Sequence, residues 1–162
     1  MTYVDLLMRH HAWAVERLLD SAALVAPDQL ASEELSHGSL LATLRHVADV
    51  DQSWGRAAQG TPIIEVEQLD ADLADLQSLR TFWLAEVVDL VAFAASLTHD
   101  DLEREVQPPW KRRPYQLWQV LLHIGNHRAE HGNQIGWWLT SLGHSPGDMG
   151  FMAFVDRQRP AS

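Results

Sequence analysis

Cysteine is absent from the 162-residue chain, which excludes disulfides, thiolate-ligated zinc and a cysteine nucleophile. The same absence fits a reducing cytoplasm better than a stapled secreted domain, and it leaves any bound metal to His, Asp or Glu. No run of about 18 apolar residues occurs. The opening MTYVDLLMRHHAWAVERLLD has no basic segment followed by an apolar run and a cleavage site, so the sequence reads as soluble, cytoplasmic and free of a membrane partner. Positive charge is scarce, with 12 Lys+Arg against 22 Asp+Glu and a formal net charge of −10. Such a field repels phosphate backbones, and the short cluster Lys111-Arg112-Arg113 does not reverse it, so nucleic acid is not an expected partner. What the chain does have is seven Trp and nine His. The tryptophans suit core or dimer packing better than a substrate pocket.

The length fits a single domain over residues 1–162 with one hydrophobic core. Val4, Leu7, His11, Ala14 and Leu18 recur at helical spacing and predict a first helix from Tyr3 to Val25, stopped before Pro27. After a polar stretch from Ser32 to Gly38, Ser39 is a candidate N-cap for a helix running to about Gly60, with Leu40, Leu44, Val47, Asp51 and Trp54 along one stripe. A third helix is predicted from near Glu65 for about thirty residues, on a stripe of Leu69, Leu73, Leu76, Trp83, Val87, Leu90 and Leu97. Thr98 to Pro114, with three prolines, reads as an irregular connection with a short extended turn around Val106 to Trp110. The fourth helix spans Tyr115 to Leu142 and stops at Gly143, and a short amphipathic piece covers Met149 to Val155. Four amphipathic segments without strand alternation predict an all-α helical bundle.

Polar residues on apolar faces are where a bundle builds its sites. In LLHIGNHRAEHGNQI, His123, His127 and His131 are spaced by four, so each step turns about 40° and climbs about 6 Å. Neighbours on that ladder can share an ion, and the outer two cannot. His131 lies in line with Ile124 and Ile135, which favours the His127/His131 pair. The third ligand must come from another helix: His46, on the flank of the Leu40, Leu44 and Val47 stripe, or His11 on the first helix. Three imidazoles leave a position open for water, as in catalytic zinc sites. Asp51, Asn126, Glu130 and Gln134 are candidates to hold the outer ring nitrogens, with Asp51 and Glu130 also candidate bases. The bland alternative for Asp51 is a buried carboxylate capping a loop or pairing with an arginine such as Arg80 or Arg128. His10, His37, His99 and His144 receive no role.

Two stretches, LLATLRHVADVDQSWGRAAQG (Leu40 to Gly60) and YQLWQVLLHIGNHRAEHGNQIGWWLTSLG (Tyr115 to Gly143), together with the tail from Pro146 to Val155, resemble the DinB/YfiT-like metalloenzymes. The resemblance implies a four-helix bundle with a long crossover connection, commonly a homodimer, with metal ligands at His46, His127 and His131. The family often closes its motif with His-His-Arg-Gly-Gln, where this chain has Glu130-His131-Gly132-Asn133-Gln134. Characterised relatives include metal-dependent thiol transferases and isomerases that use low-molecular-weight thiols, and others are taken for hydrolases.

The resulting expectation is a divalent-metal-dependent enzyme acting on a small-molecule substrate, a thiol-dependent S-transferase or a hydrolase. All-imidazole ligation favours zinc or nickel over iron or manganese. A rival reading is a non-catalytic, stress-associated metal-binding dimer. A metal-free adaptor would need the histidines to be plain core residues.

Overall fold

The computed structural model describes residues 2–31, 35 and 37–159. Helix α1, Tyr3–Ala22, is capped by Thr2, whose side chain accepts the Asp5 N–H, and buries Val4, Met8, His11, Ala14, Val15 and Leu18. A four-residue helix α2, Pro27–Leu30, starts on its proline, where the missing N–H costs nothing. Helix α3, Leu40–Gln59, begins at Ser39, whose Oγ accepts the Ala42 N–H at 3.1 Å, and ends on Gly60 at φ 71°. Most of the polar stretch expected before Ser39, namely residues 32–34 and 36, lies outside the described residues.

The long third helix is not continuous. It divides into α4, Val66–Asp72, and α5, Leu76–Ser96. Asp75 forms a capping box with Ser78, its carboxylate accepting the Ser78 N–H at 2.8 Å, and this cap opens a fresh helix. The stripe hid the break because Leu69, Leu73, Leu79 and Trp83 all reach the same core across it.

The connection that follows holds a 3-10 turn, Asp100–Glu103, and strand β1, Glu105–Val106, antiparallel to β2, Tyr115–Gln116. Tyr115 and Gln116, expected in the last long helix, are therefore strand, and helix α6 covers Leu117–Ser141. Helix α7, Phe151–Arg157, closes the described chain, close to the expected amphipathic piece.

Around the bundle, α1 packs on α5 and α6, and α3 packs on the same two helices. Helices α5 and α6 thus sit on a diagonal, which is why the chain between them has to cross over. The protein is all-α, and among the described residues no helix is long and apolar enough to cross a membrane. Two apolar clusters fill the interior. One gathers Leu18, Leu44, Val47, Val87, Ile135 and Leu139, the other Met8, Trp54, Leu90, Leu117, Leu121 and Ile124. Between them on three of the helices stand the buried polar residues His11, Asp51 and Arg128.

Candidate metal centre

Helix α6 is held from two sides. Toward α1 it carries Gly125 and Gly132, where an added Cβ would meet Leu7 at 3.3 Å and Leu18 at 3.4 Å, so this flank lies close against its neighbour. That close seat points His127 and His131 at α3, where the Ser39 cap places His46 two turns into the helix. The Nε2 atoms of His46 and His127 come within 3.1 Å. Ring centroids are 5.1 Å apart for His46 and His131, and 4.6 Å for His127 and His131. The rings of the three expected histidines lie side by side, while the group whose ligand nitrogens all fall within 4.8 Å of one another is His37, His46 and His131.

Two nitrogens that each lie about 2.0–2.1 Å from a tetrahedral ion are about 3.3 Å from one another, and the His46–His127 separation is close to that. His131 uses its other nitrogen, Nδ1, toward Gln134 Oε1 at 3.2 Å, leaving Nε2 for the cluster. The buried Nδ1 of His127 has no protein partner. Burial, followed by the neighbouring His37 and His131, lowers the His46 pKa to about 4. Burial, followed by His131 and His46, lowers that of His127 to about 4, while nearby Asp51 pulls it back upward. Both rings are therefore neutral near pH 7, the form in which imidazole ligates. The donor set fits a divalent metal.

A fourth imidazole joins them. His37, from the turn ahead of α3 and without an assigned role in the sequence reading, stacks on His46 with centroids 3.8 Å apart and planes 19° from parallel, and meets His131 edge-on at 5.2 Å. His37, His46 and His131 each offer a nitrogen within 4.8 Å of the others. His37 is exposed and stands at the solvent side of the cluster, as a further imidazole within reach of an ion held there. No periodicity could have flagged a loop residue; its nearness in sequence to the Ser39 cap was the available signal.

The other candidates fall elsewhere. His11 is fully buried and donates through Nε2 to Asp51 Oδ2 at 2.7 Å, so it is not a member of the cluster. Asp51 is buried and its Oδ2 also accepts Trp83 Nε1–H at 2.6 Å, while Oδ1 has no partner. Neither suggested arginine pairs with it: Arg80 bonds Asp20 at 2.6 Å, and Arg128 attracts Asp51 only through space. Glu130 and Asn126 are exposed on α6, and Glu130 makes no ion pair among the described residues.

His123, the outer rung, turns away from the cluster and meets Trp54 edge-on at 4.5 Å, with His127 5.8 Å behind it. It borders a cavity of about 240 Å³ lined by Trp54, Lys111, Tyr115, Gln119 and Val120. At least part of the tryptophan content thus lines a hollow beside the histidines.

The DinB family model matches residues 1–161. The chain belongs to the DinB family. Uncharacterized protein YizA of Bacillus subtilis (strain 168) is 33% identical over 132 residues, which is 76% of this chain and 81% of that protein. The resemblance noted in the two histidine-bearing helices is thus family membership across the whole bundle, and this DinB chain carries a histidine cluster able to hold a metal ion.

Proposed function

We propose that His46, His127 and His131 together hold one divalent ion, zinc or nickel, and that the protein is a metal-dependent enzyme transferring a low-molecular-weight thiol to a small electrophilic substrate. The observation that carries the reading is the 3.1 Å approach of His46 Nε2 to His127 Nε2 beside a His131 already oriented by Gln134. When bound, such an ion supplies Lewis acidity and lowers the pKa of a thiol or water.

The surrounding residues favour thiol transfer over hydrolysis. The two carboxylates considered as bases for hydrolysis are poorly placed to take a proton from a metal-bound water. Asp51 has one oxygen committed to His11 and Trp83 and is buried, and Glu130 is exposed on α6 away from these contacts. In this reading Asp51 is a positioning residue for His127, which feels its charge through space; Asp51 Oδ1 and His127 Nδ1 are both buried and without a protein partner among the described residues. The chain has no cysteine, so the thiol comes from a cosubstrate, and the cytoplasm is where such thiols are kept reduced. The hollow beside His123, with Lys111 5.4 Å from the Trp54 ring centroid, supplies a wall for the substrate. A cavity of about 260 Å³ bordered by His37 and His46 also favours catalysis over a purely structural ion, which would need no adjoining space. Assembly as a homodimer is part of the proposal and is checked by sedimentation.

Elemental analysis after remetallation tests the site: about one ion per chain in the wild type, and loss in His46→Ala, His127→Ala and His131→Ala. Equal metal content in all four proteins rejects it. With the nickel or cobalt form, a thiol-induced charge-transfer band supports the thiol reading, and an unchanged spectrum under saturating thiols removes it.

A further inference from the structure

Arg128 sits one residue from His127, about 100° further round α6, and it is only 4% exposed. Its stem lies along Gly132, where an added Cβ would stand 3.6 Å from Arg128 Cδ. A guanidinium carries five N–H donors. Among the described residues its one hydrogen bond is to His10 Nδ1, a neutral acceptor at 3.4 Å, and its buried Nε–H has no partner there. Arg128 forms no ion pair among the described residues. Asp51 attracts it only from beyond ion-pair distance, with one oxygen already bonded to His11 and Trp83, and a buried cation without a contacting anion is costly.

The space for one is present. Arg128 and His10 form the floor of a cavity of about 540 Å³ between α6 and the segment 145–151, well inside the range of small-molecule sites. His10 is fixed as floor rather than ligand: its Nε2 donates to Met149 O at 2.9 Å, and its ring meets Phe151 edge-on at 5.4 Å. Trp137 and Phe151 give apolar wall, with Thr140 and Ser145 beside them. Asp148 also lines the cavity; it is exposed, and its carboxylate accepts the Gly150 N–H at 2.7 Å.

We propose that this cavity is a second ligand site, separate from the histidine cluster, which binds a small monocarboxylate with an apolar body, its carboxylate on Arg128 and its body against Trp137 and Phe151. The planar guanidinium matches a carboxylate fork. Asp148 in the wall, and the net charge of −10, oppose a second negative charge on the ligand, which selects a monoanion over a phosphate dianion.

The test is calorimetric titration of the full chain, both zinc-loaded and chelator-treated, with phenylacetate, its neutral isostere phenylacetamide and inorganic phosphate. Phenylacetate binds in the millimolar range or tighter, at least about tenfold more tightly than phenylacetamide and phosphate, in both metal states. Arg128→Gln weakens phenylacetate at least about tenfold. Because Arg128 is buried and its loss can unfold the chain, Thr140→Trp fills the cavity while leaving Arg128 in place, and it abolishes binding equally. His131→Ala, at a position that does not line the cavity, leaves binding unchanged. Equal affinity for acid and amide, preference for phosphate, no heat in the millimolar range, or binding that needs zinc and vanishes in His131→Ala each overturns the proposal.

Discussion

His11 and Asp51 meet at 2.7 Å with their side chains 0% and 1% exposed, and Trp83 closes the same carboxylate oxygen from a third helix. One oxygen atom therefore ties α1, α3 and α5 at a single point. A buried carboxylate tolerates this position only because both donors arrive together with the distant attraction of Arg128.

Asp51→Asn removes the charge while its amide oxygen still accepts from His11 and Trp83, the N–H₂ taking the place of the unpartnered Oδ1. The expected loss, that of the charge assistance in these bonds, is about 1–2 kcal/mol in urea unfolding, with metal affinity down about 10–100-fold through His127. Trp83→Phe keeps the His11 bond and removes only the indole donor, so about 1–2 kcal/mol is expected with little change in metal content. If Asp51→Asn lowers stability and leaves zinc affinity intact, the carboxylate does not position His127.

The metal-free protein has a pH dependence whose sign follows from its histidines. His46 and His127 titrate at about 4 in the folded chain, against an ordinary value of 6.5. Between those values the unfolded chain binds more protons, so stability is full above about pH 6.5 and falls as the pH drops toward 4. Melting temperatures measured across this window should decline for the wild type and decline less for the double variant His46→Gln/His127→Gln. Parallel profiles would mean that burial does not depress these two groups.

Gly136 meets the tail closely: an added Cβ would lie 3.2 Å from Met149 Cε and 3.4 Å from Pro146 Cγ. Gly136→Leu should push the segment 145–151 off α6, seen as faster amide exchange there, while α3 and the histidine cluster keep their protection. Unaltered exchange in the tail would show that Met149 and Pro146 simply give way.

Gly60 ends α3 at φ 71°, with its N–H bonded to Ala57 O. Gly60→Ala is expected to cost about 1 kcal/mol through the left-handed backbone, although an added Cβ there meets nothing within 4 Å. A stabilised variant would mean that the turn has relaxed to another conformation.

The bundle was legible because four amphipathic stripes are long and bounded by Ser39, Gly60 and Gly143, each of which does locally what its type favours. His127 and His131 were legible from spacing, since one helix sets their relation. The meeting of His46 with them needed the packing of α3 on α6, which spacing alone left open against His11. What stayed hidden depends on helices far apart in sequence or on very short elements. The Asp51–Trp83 contact joins α3 to α5, and β1 and β2 have two residues each, too few for alternation to show. Arg128 was legible only as a possible partner for Asp51; its flanking Gly125 and Gly132 were the sign that the surface around it is occupied.

The layer of His11, Asp51 and Arg128 between two leucine-rich halves also decides where the helices stop relative to one another. Leucine against leucine looks much the same after a slide of one turn. Moved by a turn, His11 would leave the Asp51 carboxylate facing an aliphatic neighbour such as Val15, an arrangement no apolar gain repairs. A bundle of interchangeable seams thereby acquires an index mark, and the spatial alignment that lets His46 face His127 is inherited from a residue pair that need never touch a ligand.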